Sequence, residues 1–109
     1  MVETVQYILV QITAGNMDEA RHLAQLLLEQ KKIACVNIIP EVESLFRWNG
    51  KIDNSTESLL LVKTQASLLD DIIAIVRQHH SYHLPEIIAI PLYGGSDAYL
   101  AWVGNETNG

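Results

Sequence analysis

Three of the four histidines of this 109-residue chain fall within five residues, in the stretch HHSYHLPE at 79–86. Neutral imidazole is a good ligand for Cu(II) and Zn(II), so His79, His80 and His83, with Glu86 beside them, are candidate metal ligands. Helical geometry limits this idea. Adjacent residues on a helix point about 100° apart, so His79 and His80 share one ion only where the backbone leaves the helix. His79 and His83 have the i,i+4 spacing, but Pro85 biases the chain before it away from helix. The competing reading is structural. Histidines in a last helical turn satisfy free carbonyls and, when charged, complement the helix dipole. The sequence leaves both readings open.

The elements that position these residues follow from periodicity. YILVQIT (7–13) and ACVNII (34–39) are β-branched runs with strand character, as are SLLLVKT (58–64) and EIIAIPLY (86–93). Apolar residues recur at Ala20, Leu23, Ala24, Leu27 and Leu28, predicting a helix over 17–31 that starts at an Asn16 cap with Glu19 reaching back. A second helix, begun by Ser67 and Asp70, carries Leu69, Ile72, Ile73, Val76 and His80 on one face and ends before Pro85. Ser96 caps a short last helix.

The halves superpose at an offset of 51, which aligns Thr13 with Thr64, Glu19 with Asp70 and Pro40 with Pro91. Two strand–helix–strand units in tandem specify a single α/β (α+β) domain over 1–109. It is a ferredoxin-like βαββαβ sandwich with strand order 4-1-3-2 and both helices on one face. Between the second and third strands, Asn49-Gly50 is a two-residue hairpin turn. The strands therefore extend as a long ribbon carrying Leu45, Phe46 and Trp48. Leaving such groups wet costs about 1.5–3 kcal/mol each, so a second copy of the chain is expected to cover them.

Composition excludes several functions. Seven basic against thirteen acidic residues give a net charge of −6, which argues against nucleic acid. The central strands also lack the stacking aromatics of RNA-recognition modules. The loop after the first strand, TAGNMDE, has neither the Arg of an acylphosphatase nor the C-x-x-C of a metallochaperone. Cys35 is the only cysteine, so no intrachain disulfide forms. In this topology it starts the strand at the edge opposite the histidines, so it is not expected to join them. Met1-Val2-Glu3-Thr4 lacks the basic region of a signal peptide, and no apolar run is long enough to span a bilayer. A soluble, unprocessed protein is expected.

Five stretches, ACVNIIP (34–40), SLFRWNGKI (44–52), ESLLLVKT (57–64), HHSYHLPEIIAIPL (79–92) and YLAWV (99–103), occur in an order that resembles the CutA family of divalent-cation tolerance proteins. The resemblance covers almost the whole chain. It implies a cytoplasmic homotrimer joined through the long hairpins, tolerance to copper and other divalent ions, and no enzymatic activity. The chain departs from the family at Ser81, where the HPY element has proline, and at Ile12, where some members have a cysteine. Cu(II) or another divalent cation, bound weakly, is the expected ligand. Trp48, Lys51, Glu57, Lys63 and Tyr82 are candidates for an intersubunit interface or cleft. The rival readings are a trimeric sensor of a small anion or nucleotide, held by Arg47, Lys51 and Lys63, and a scaffold for a protein partner.

Overall fold

The computed structural model describes residues 6–108; the Met1-Val2-Glu3-Thr4 stretch lies outside them. The order of elements is β1 (Tyr7–Ala14), α1 (Met17–Glu29), β2 (Cys35–Trp48), β3 (Lys51–Gln65), α2 (Leu69–His79), β4 (Ile87–Pro91) and α3 (Asp97–Asn105). The sheet runs β2-β3-β1-β4 with every pairing antiparallel, which is the order expected from the duplication.

One face of the sheet builds the core. Ile8, Val10 and Ile12 of β1 and Leu60 and Val62 of β3 point to it by period-2 alternation. They meet Ala20, Leu23 and Leu27 of α1 and Ile72 and Val76 of α2 in one buried cluster. Ile75, rather than the expected Ile73, completes the α2 contribution. The opposite face leaves Ile88 and Ile90 of β4 about half exposed, along with Ile39 of β2.

The helix ends depart from the sequence reading in two places. Asn16 caps α1, its Oδ1 accepting the Glu19 N–H at 2.8 Å. The Glu19 carboxylate reaches one residue further back than a standard capping box and accepts the Gly15 N–H at 2.9 Å. Ser67 does not cap α2; a 3₁₀ turn over Ala66–Leu68 leads into it with no side-chain cap. The predicted hairpin forms with positive φ at both Asn49 and Gly50, the type I′ geometry that matches strand twist. A register shift between Ile39 and Val42 bends β2 at Pro40, and the Ser58 hydroxyl donates to the Pro40 carbonyl at 2.8 Å. Beyond that bend the ribbon stands clear of the helices, giving a longest dimension of 51 Å.

Candidate functional site: the α2–β4 connection and the root of the hairpin

The fold disperses the histidine cluster. α2 stops at His79, and His80 takes an extended conformation with φ −81° and ψ 145°. This break sends the two rings in different directions. The His79 ring is exposed. The His80 side chain is fully buried. Its Nδ1 accepts the Tyr82 N–H at 3.0 Å, and its Nε2 lies 2.7 Å from the Thr13 carbonyl oxygen. These partners assign the proton to Nε2, which donates to Thr13, and leave no ring nitrogen free for a metal. His80 thus satisfies a carbonyl, but one in β1 rather than in its own helix.

His83 and Glu86 lie further along the connection, beside the root of the hairpin. Glu86 accepts from the Gln11 side-chain amide at 2.9 Å. Among the described residues, no three His, Cys, Asp or Glu side chains converge as a metal-holding group. His79, His80, His83 and Glu86 therefore do not form one site within a chain. The cause is the helix end at His79, earlier than the expected helix that carried His80 on its face and ended before Pro85.

A contact that the sequence did not reveal fastens this region. The Glu19 carboxylate accepts the Ser81 N–H at 2.7 Å and the Ser81 hydroxyl at 3.0 Å, in addition to Gly15. Ser81, the departure from the HPY pattern, supplies two donors that proline lacks. They tie the end of α2 to the first turn of α1. Burial opposes ionisation of Glu19, but the hydrogen bonds from Gly15 and Ser81 outweigh it and hold the carboxyl below its ordinary value of 4.5. A carboxyl with a lowered folded-state pKa stabilises the protein above its unfolded value, and this contribution fades as pH falls through the folded value. Glu19→Gln is expected to lower the unfolding free energy by about 2 kcal/mol at neutral pH. Urea titrations at several pH values should also show a shallower loss of stability below pH 4.5 than in the parent. An unchanged acid limb would contradict this role.

A groove of about 790 Å³ lies between the α2–β4 connection and the ribbon. Trp48, Glu57, Tyr82, His83 and Glu86 all line it, together with Glu43 and Asp53. Tyr82 leans towards the buried Glu57. Burial first, then the hydrogen bond and charge of Glu57, push its phenol above the ordinary value of 10.0. Lys51 and Lys63 are not among the lining residues. Lys51 faces Trp48 at the hairpin tip, and Lys63 donates to the Asn37 side chain on β3's outer neighbour. Cys35 pairs with Lys63 on the edge strand β2, at the opposite edge from β4, as the topology required.

Residues 8–106 match the family described as CutA1 divalent ion tolerance protein. The chain belongs to this family. It is 43% identical to "Protein CutA, chloroplastic" of Arabidopsis thaliana over 96% of its length, and spans only 58% of that plant protein. It is 39% identical to the "Divalent-cation tolerance protein CutA" of Thermus thermophilus, over 90% of this chain and 95% of that one. The crystal structure of CutA1 from Oryza sativa superposes with a TM-score of 0.93 at 42% identity, covering 96% of both chains. The fold, the long hairpin and the sheet order are therefore shared with solved members of the family.

Proposed function

We propose that this chain acts in the cytoplasm as a homotrimeric divalent-cation tolerance protein, a binding protein rather than an enzyme. Its groove takes copper or a related divalent ion weakly. The observation that carries this reading is the charge of the groove. Glu43, Asp53, Glu57 and Glu86 line it with His83, and none of its lining residues is lysine or arginine. Oxygen donors and one imidazole suit a hydrated divalent ion, and the lack of a converging three-ligand set keeps affinity modest. The same charge disfavours the anion-sensor reading, whose basic candidates Arg47, Lys51 and Lys63 lie outside the groove lining.

Support for assembly comes from apolar surface. Leu45, Phe46, Trp48 and Ile52 are exposed on the ribbon, and Ile39, Ile88 and Ile90 on the uncovered sheet face. Patches of this kind mark interaction sites. Among the described residues no helix is long and apolar enough to cross a membrane.

Calorimetric titration of the metal-free protein with Cu(II), Zn(II) and a nucleoside triphosphate tests the groove. The metals are expected to give saturable binding that weakens in a His83→Ala, Glu86→Gln double variant, while the nucleotide gives none. An isotherm unchanged by the double variant, or saturable nucleotide binding, would overturn the groove assignment.

A further inference from the structure

A pair of imidazoles lies away from the groove, on the outer face of the helical layer. His22, from the body of α1, and His79, the last residue of α2, are both exposed. Their ring centroids are 6.0 Å apart, with the planes inclined at 67°. We propose that His22 and His79 form a cross-helix, two-imidazole site for a divalent transition-metal cation of the copper, nickel and zinc class.

The spacing meets the demands of coordination. With a metal–nitrogen bond of about 2.0–2.1 Å, a ring centroid stands roughly 3.2 Å from the ion. Two rings on one ion then have centroids between roughly 4.5 Å, for a right-angled arrangement, and roughly 6.4 Å, for a linear one. The observed 6.0 Å lies inside that range.

The two helices are also held in register next to the pair. Glu19, one turn before His22, accepts both donors of Ser81, two residues after His79. This clamp fixes the end of α2 against the start of α1, which reduces the ordering that binding must impose. His80 cannot substitute for His79, because its ring is buried on Thr13 and Tyr82. Among the described residues no third His, Cys, Asp or Glu completes a cluster, so water fills the remaining positions and the ion stays exchangeable. Imidazole nitrogen favours Cu(II) over the other divalent first-row ions. The net charge of −6 also favours a cation. This site does not depend on the groove.

The test uses the full chain, stripped of metal and titrated with Cu(II). Calorimetry gives affinity, and electron paramagnetic resonance counts the coordinated nitrogens. Parent protein is compared with His22→Ala, His79→Ala, both together, and the His83→Ala, Glu86→Gln groove variant. Binding a second ligand on the same frame is intramolecular, so loss of either ring is expected to weaken the site by on the order of a hundredfold. The double helical variant should bind little worse than either single one, and the nitrogen coupling should fall from two nitrogens to one in each single variant. The groove variant should keep the two-nitrogen signal. Glutamine at either position serves as the second variant should alanine disturb folding. Parent-like affinity or an unchanged two-nitrogen signal in His22→Ala would overturn the assignment. So would loss of that signal in the groove variant alone, which would place the imidazoles elsewhere.

Discussion

Metal-free His80→Ala protein is expected to unfold with about 3–4 kcal/mol less free energy than the parent. The side chain is fully buried and uses both ring nitrogens. Alanine would leave the Thr13 carbonyl and the Tyr82 N–H without partners, and each orphaned buried group costs about 1–3 kcal/mol. The vacated ring volume adds a cavity cost. His80 also lies 3.9 Å from Glu19, so its loss disturbs the clamp between α1 and α2. Chemical denaturation at one fixed protein concentration, with chelator present, measures the effect; the fixed concentration keeps the mass-action contribution of any subunit association the same for both proteins. A metal-free variant as stable as the parent would mean that the ring is not the internal strut described here. The result bears on the histidine cluster as a whole, since a ligand histidine shows its effect only when metal is supplied.

Trp48→Glu is expected to turn the proposed trimer into smaller species. Trp48 is 51% exposed in the single chain, and Leu45, Phe46 and Ile52 accompany it on the same ribbon. Leaving such a surface wet is costly, and in the proposed assembly each subunit presents it to a neighbour. Glutamate there would bury an unpaired charge, at a cost of several kcal/mol. Each 1.4 kcal/mol is about a tenfold change in dissociation constant, so assembly should weaken by roughly two orders of magnitude or more. Sedimentation velocity across a dilution series should give a trimer for the parent and lower mass for the variant. Dilute parent protein running as a monomer would sink the oligomer proposal. The fold of each subunit should survive, because Trp48 lies at the hairpin tip, outside the buried core.

The sequence by itself determined the architecture. Strand runs with β-branched residues, helical spacing in 17–31 and the turn at Asn49-Gly50 are local signals. Each acts over a few residues, where backbone sterics and side-chain periodicity dominate. The duplication then restricted the sheet to one order, and that order placed Cys35 at the edge away from the histidines. The same local reasoning ended α2 before Pro85, but it left open whether the backbone breaks at His80 and so whether His79 and His80 share an ion.

Only the tertiary structure decided what the diverging rings meet. His80 finds Thr13, which is 67 residues away, and Ser81 finds Glu19, 62 residues away. His79 comes beside His22, which stands on the exposed face of α1 and shows no local motif. The start of α2 differs from the expected cap for a similar reason. Ser67 is a good cap by residue type, yet the turn entering from β3 is 3₁₀, which leaves its hydroxyl without that role. Proximity in sequence made the histidines look like one site, and the extended backbone at His80 separated them. A side chain's partner depends on how whole elements dock, and docking is settled by burying the apolar faces of β1, β3, α1 and α2 together. The polar contacts at the α2–β4 connection are consequences of that packing, so no window of the sequence containing only one of the partners could have shown them.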